Sequence, residues 1–168
     1  IRVLIDGIGS IDDGAKIADI LSGFGINVRI YHPVPWKFKA YRHALMSGTW
    51  LSKFLFFLTR MNNRDHRKLV IVDHQIAWVG SINITHQHIS DGSSLAWKDA
   101  AVRVDGYEVR ELYEDFDYVW RTKLKDSFIE KARYYWSNHS EKSRKRKNLH
   151  LIEMLDKARS RIYITNAY

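Results

Sequence analysis

The chain has 168 residues, the size of one ordinary domain, and 45% of them are hydrophobic, so we predict a packed core. It contains no cysteine, which excludes a disulfide scaffold and thiolate catalysis. The net charge is +8 and favours a polyanionic partner, whether nucleic acid, anionic lipid or a phosphorylated metabolite. No apolar run approaches the roughly 20 residues that a membrane span requires.

The first part of the chain predicts a strand, a helix and a second strand. Ile1–Ile5 is an apolar run that ends at Asp6-Gly7, and Asn27–Tyr31 is a second short strand. Between them, apolar residues recur at helical spacing, at Ile17, Ile20, Leu21 and Phe24. This order indicates a parallel strand pair in an α/β fold.

The rest of the chain predicts more strands and two further helices. We expect strands at Lys68–Val72, Ile76–Val79 and Ala100–Val104, and a long helix at Tyr107–Leu124. Trp50–Leu58 also has helical spacing, and this helix either packs on its own core or lies in a bilayer interface.

The composition changes near the C-terminal end. Residues 137–148 are polar and basic, without apolar periodicity, and we interpret them as a linker. We therefore predict a first domain at residues 1–136 and the start of a second at residues 149–168, with a short helix and then a strand from Arg161.

Two short motifs carry the chemistry. His66, Lys68 and Asp73 form the pattern H-x-K-x4-D, and Gly80–Asn83 follows seven residues later as G-S-x-N. Side chains alternate along a strand, so His66 and Lys68 share a face about 6.7 Å apart, while Asp73 has the opposite parity. Ser81 and Asn83 likewise share a face of their own segment, so an imidazole, an ammonium group and an amide can converge on one phosphate.

This group suits phosphodiester chemistry. Imidazole is a competent nucleophile near neutral pH. Lys68, Ser81 and Asn83 can bind the phosphate oxygens, where charge builds up during attack on phosphorus. The second imidazole nitrogen should donate to a carboxylate that fixes the tautomer. We expect neither a metal nor a cofactor.

The two motifs together resemble the signature of the phospholipase D superfamily. Further segments are similar to bacterial cardiolipin synthases, namely Leu4–Ser10, Asn63–Lys68, Trp97–Asp99 and Arg161–Tyr168. The resemblance implies a phospholipase D-like α/β lobe, with a mixed central β-sheet flanked by helices. It implies catalytic roles for His66, Lys68, Asp73 and Asp99, in which Asp99 holds the His66 imidazole and Asp73 organises the loop and pocket.

The resemblance also implies a reaction and its surroundings. A phosphatidyl group would pass through a phosphohistidine from one phosphatidylglycerol to another, which gives cardiolipin and glycerol. The family uses a second H-x-K-x4-D histidine as general acid, and this sequence has one copy. We expect the other in a second lobe beyond Tyr168 or in a homodimer mate. The implied partners are an anionic phospholipid and a membrane surface, at the periphery of the bacterial inner membrane or, alternatively, in the cytoplasm.

Three other hypotheses remain. The chain could be a homodimeric, metal-independent endonuclease of the same superfamily, which its charge suits, although the long helix and linker after G-S-x-N make nucleic acid the less favoured partner. It could be a non-catalytic lobe that binds anions. His86, His88 and His74 could bind a metal, but no third ligand has a recognisable zinc-site spacing.

Overall fold

The computed structural model describes residues 1–44, 49–60, 65–85, 88, 97, 99–121 and 141–164. The α/β class is confirmed. In chain order the elements are β1 (Arg2–Asp6), α1 (Gly14–Gly23), β2 (Asn27–Tyr31), a 3-10 helix (Phe38–His43), α2 (Trp50–Arg60), β3 (Lys68–Val72), β4 (Ile76–Gly80), β5 (Ala101–Asp105), α3 (Glu108–Arg121) and α4 (Glu141–Lys157). Two compact units are present, Ile1–Lys123 and Leu124–Tyr168.

Strands β1 and β2 form the predicted parallel pair, with Arg2 opposite Asn27 and Asp6 opposite Tyr31. Helix α1 packs on this pair and buries Ala18 completely against Val28 and Ile30. The predicted apolar face was wrong in part, because Ile17, Ile20 and Phe24 are exposed. Small side chains at Gly14 and Ala18 allow the helix axis to approach the strands, and this close contact turns the larger residues outward.

Strands β3, β4 and β5 form an antiparallel sheet in that order. At one end Lys68 pairs with Gly80, which pairs with Ala101. At the other end Val72 pairs with Ile76, which pairs with Asp105. The register therefore decides which loops meet at each end.

Helix α3 contacts both strands of the parallel pair. Arg2 on β1 donates to Asp117 at 2.7 Å, and Arg29 on β2 lies 4.6 Å from the centroid of the Trp120 ring. The buried side of α3 is mainly apolar, with Val109, Leu112, Val119 and Trp120 all under one tenth exposed. This packing holds α3 against the parallel pair.

The C-terminal unit differs from its predicted pattern. Helix α4 begins at Glu141, inside the segment interpreted as a linker, so most of that basic run is helical. Arg161–Ile164 has no regular structure, so the strand predicted there is wrong over these residues. Ile162, Tyr163 and Ile164 are at least half exposed, and a strand without a neighbour has nothing to satisfy its backbone. The domain boundaries at 136 and 148 stay predictions.

No helix within the described residues is long and apolar enough to cross a membrane.

Candidate active site

The site lies at the end of the antiparallel sheet where β3 begins, β4 ends and β5 begins. The cross-strand row Lys68–Gly80–Ala101 places the segment before Lys68, the loop after Gly80 and the segment before Ala101 at this end. Ser81 bridges two of these segments, because its backbone N–H donates to the Ala100 carbonyl at 3.0 Å. Motif residues far apart in sequence are thereby brought to one edge.

The segment that carries His66 is held to α3 by the residue after it. Arg67 forms an ion pair with Asp65 at 2.6 Å and another with Asp115 of α3. Asp115 is almost fully buried. Arg67 therefore faces α3, and alternation along an extended chain predicts that Lys68 takes the opposite face. The Lys68 ammonium donates to the His66 carbonyl oxygen at 3.0 Å, and the His66 side chain is exposed.

A hydrogen-bond network joins the G-S-x-N loop to Asp99. Asp99 Oδ2 contacts Nδ1 of His88, and Nε2 of His88 lies 3.3 Å from the Asn83 side-chain nitrogen. The sequence assigns Asp99 to the His66 imidazole, whereas the contact observed here is with His88. The structure therefore joins Asn83 and Asp99 through His88, a histidine to which the motifs give no catalytic role. Ser81 and the charge of Lys68 act on the same Asp99 carboxylate.

The network stabilises the ionised form of Asp99. Hydrogen bonding from Ser81, then the contact with His88 and the positive charge of Lys68, lower the pKa of Asp99 below its ordinary 3.8. Because the folded-state pKa is depressed, this contribution to stability is present above 3.8 and is lost as the pH falls through the lower folded value.

Replacing Ser81 with alanine should raise the pKa of Asp99 toward its ordinary value, because the hydroxyl is the largest cause of the depression. The measurement is a pH titration of the Asp99 carboxyl carbon by NMR. Asp19, whose pKa is lowered chiefly by His43, serves as the internal control and should not change. An unchanged Asp99 titration would show that Ser81 does not act on this carboxylate.

Asp73 lies at the other end of the sheet. It follows Val72, so it is separated from Lys68 by the whole of β3, roughly 14 Å at the strand rise. Asp73 and His74 have positive φ values of 51° and 55°, and the turn is closed by the Gln75 N–H on the Val72 carbonyl at 3.0 Å. Asp tolerates this left-handed backbone better than most residues. The position supports the turn-organising role and not contact with a phosphate at Lys68.

Gly80 sets how closely β4 approaches β5 beside the site. A Cβ atom there would lie 2.4 Å from the Ala100 carbonyl oxygen and 2.7 Å from the Ala101 Cα. Both obstacles are backbone atoms, so a side chain at position 80 must move a strand.

Gly80→Ala should therefore lower the free energy of unfolding by about 1–3 kcal/mol, the usual cost of overpacking. It should also shift the NMR signals of Ser81 and Asp99. Gly23→Ala is the matched control, because nothing lies within 4 Å of its added Cβ. Urea denaturation measures both variants, and equal stability in the two would contradict the close approach at Gly80.

Two contributions to the site were missed by the sequence analysis. The pairing of Arg67 with Asp115 spans 48 residues, and no local pattern reports it. His88 was weighed as a metal ligand with His74 and His86. In the structure His74 packs against Tyr113 at the turn end of the sheet, with ring centroids 3.9 Å apart and the rings tilted by 40°, and His86 lies outside the described residues. The part of the chain that the structure describes has no metal-binding group of three His, Asp or Glu side chains.

Comparison with known proteins finds bacterial cardiolipin synthases among the relatives. The chain is 29% identical over 189 residues to cardiolipin synthase B of Salmonella typhi, and the alignment covers 99% of this chain and 40% of that protein. Cardiolipin synthase B of Escherichia coli K12 is 27% identical over 187 residues, with the same coverage. The chain is similar to bacterial cardiolipin synthases. Cardiolipin synthase 2 of Staphylococcus epidermidis is 33% identical over 86 residues, which cover 50% of this chain and 18% of that protein.

This chain spans about two fifths of the length of the cardiolipin synthase B relatives that it matches. No family model matches it, and no solved structure does.

Proposed function

We propose that this chain carries one catalytic lobe of a phospholipase D-type phosphatidyltransferase that makes cardiolipin from phosphatidylglycerol. The observation that carries the proposal is the strand register, which gathers the H-x-K start of β3, the G-S-x-N loop and Asp99 at one edge of the sheet. The similarity to cardiolipin synthases over 99% of the chain supports the same reaction.

In the proposed first step a nitrogen of His66 attacks the phosphorus of phosphatidylglycerol. A nitrogen–phosphorus bond forms and the bond from phosphorus to the glycerol headgroup oxygen breaks. Lys68 and the Asn83 amide bind the nonbridging oxygens as negative charge builds there. In the second step the hydroxyl of another phosphatidylglycerol attacks phosphorus, which gives cardiolipin and frees His66.

The departing glycerol oxygen needs a proton, and the attacking hydroxyl must lose one. A second histidine performs both transfers in our proposal, as general acid and then as general base. It would come from a second H-x-K lobe, either in a longer chain or in a second copy of this one. Ser81 and Asn83 hold the phosphate, while Asp99 holds the imidazole of His88.

The test is turnover of phosphatidylglycerol in detergent micelles, followed by mass spectrometry of lipids and glycerol. The proposal predicts cardiolipin and glycerol in equal amounts from the chain joined to, or paired with, a second lobe. Cleavage of plasmid DNA in a chelator, without any lipid product, would favour the endonuclease hypothesis instead. Phospholipid binding that is the same in the unmodified chain and in His66→Ala, together with no turnover, would favour an anion-binding lobe.

We also propose that α2 contacts the membrane surface, at the periphery of the bacterial inner membrane. Trp50, Leu51, Leu55 and Leu58 are each more than half exposed, so these four side chains are available to a membrane surface. Residues 37–60 contain five Lys and Arg and no Asp or Glu, which complements an anionic bilayer. The Lys53 ammonium lies 4.4 Å from the centroid of the Tyr41 ring, and this contact holds α2 against the 3-10 helix.

Replacing Leu51 and Leu55 together with serine should weaken binding to phosphatidylglycerol vesicles roughly tenfold or more. Each leucine is about half exposed, so on binding it can bury about half of an apolar surface that is worth about 1.5–3 kcal/mol in full. Vesicle cosedimentation measures the affinity. The matched control replaces the exposed Ile17 and Ile20 of α1 with serine and should bind as the unmodified chain does. Equal losses from both pairs would show that α2 is not the contact, whatever the outcome for catalysis.

A further inference from the structure

His88 is a nearly buried imidazole in contact with two site residues. Its side chain is 5% exposed, with Asp99 at Nδ1 and the Asn83 amide nitrogen 3.3 Å from Nε2. The Trp97 ring covers it edge-on, with centroids 5.5 Å apart. The contacts with Asp99, Asn83 and Trp97 together fix the orientation of the His88 ring.

The chemistry of its neighbours determines the tautomer of His88. The Asn83 side-chain nitrogen can only donate, so Nε2 of His88 accepts. The proton must then be on Nδ1, where it is donated to the Asp99 carboxylate. His88 thus joins the amide of the G-S-x-N loop to the carboxylate before β5.

We propose that His88 is a positioning residue that sets the Asn83 amide for the substrate phosphate. The Asn83 amide has two N–H bonds, and the bridge to His88 uses one of them. Rotation about the last side-chain bond is then blocked, and the second N–H has one direction in which to donate. The inference rests on the proposed function, because the acceptor of that second N–H is the phosphate held beside Lys68.

These two hydrogen bonds also exclude two other roles for His88, metal binding and general acid catalysis. Both of its nitrogens are engaged, one as donor and one as acceptor, so neither is available to a metal ion while the network is intact. For the same reason His88 cannot donate a proton to the departing glycerol oxygen. His88 acts through Asn83 and makes no contact with the reacting atoms.

The experiment is a double-mutant cycle, with inorganic vanadate as a phosphate-like probe and isothermal titration calorimetry as the measurement. His88→Leu should weaken vanadate binding about tenfold, as much as Asn83→Ala does. In both variants the anion loses the charge-assisted hydrogen bond from the oriented Asn83 N–H. The double variant should bind no more weakly than Asn83→Ala alone, because His88 acts through that amide. His88→Gln should recover most of the affinity, since its amide can accept from Asn83 and donate to Asp99.

A purely structural role gives a different pattern. If His88 only fills space, its effect and that of Asn83→Ala add, and His88→Gln is no better than His88→Leu. Either result overturns the proposal, as does an unmodified chain that fails to bind vanadate. NMR of the Asn83 side-chain amide protons is the second measurement: their shifts should change in His88→Leu and persist in His88→Gln. The proposed phosphatidyl transfer is judged separately by lipid turnover, so an additive cycle beside intact turnover rejects only the role of His88.

Discussion

Replacing His66 with alanine should abolish the burst of p-nitrophenol that the unmodified chain releases from a p-nitrophenyl phosphodiester. This substrate loses a weakly basic phenolate, which leaves without a proton, so a lobe that lacks the second histidine can still complete the first step. The burst should approach one equivalent per site and leave a phosphoryl group on His66. Removal of the nucleophile should lower the rate by a factor on the order of 10⁴ or more.

Stopped-flow absorbance measures this burst, and intact-protein mass measures the covalent product. His74→Asn is the control, because it removes another imidazole from the turn at the opposite end of the sheet, where Asn also tolerates the positive φ of 55°. The control should keep the full burst and the added mass. A burst that survives in His66→Ala, or a phosphoryl group on a different residue, would reject His66 as the nucleophile.

The second large effect concerns the buried ion pairs of Arg67, the residue after His66. Arg67→Met should lower the free energy of unfolding by about 3–5 kcal/mol, the cost of breaking a buried ion pair by removing one partner. The side chains of Arg67 and Asp115 are 16% and 3% exposed, so the two carboxylates that Arg67 contacts would remain in a poorly hydrated site. Urea denaturation followed by circular dichroism gives the difference.

Arg103→Met is the matched control for these ion pairs. Arg103 pairs with Asp105 at 2.8 Å, but both side chains are more than half exposed, so the loss should stay below about 1 kcal/mol. A second variant combines Arg67→Met with Asp115→Leu and should recover part of the stability, because no charge of that pair is left buried. Equal costs for Arg67→Met and Arg103→Met would contradict the buried ion pairs of Arg67.

The spacing of apolar and motif residues along the chain predicted those features that depend on local backbone periodicity. The order strand, helix, strand predicted the parallel pair of β1 and β2, and strand alternation predicted that Arg67 points away from the face expected for His66, as its ion pair with Asp115 of α3 shows. The 3.6-residue spacing likewise predicted α1, α2 and α3. Periodicity failed in part for the buried face of α1, where Leu21 packs against the core but Ile17, Ile20 and Phe24 are exposed. The depth of packing depends on the strands opposite and not on the helix itself.

The sequence by itself determined the α/β class, the position of most elements and the motif residues that are candidates for phosphodiester chemistry. Only the tertiary structure decided how those residues are grouped. Strand register placed Asp73 at the far end of the sheet from Lys68 and brought Asp99 to the near end, and side-chain contacts placed His88 between Asn83 and Asp99. The physical reason is that spacing fixes which face a side chain takes, whereas cross-strand pairing and buried charge fix which distant segments meet.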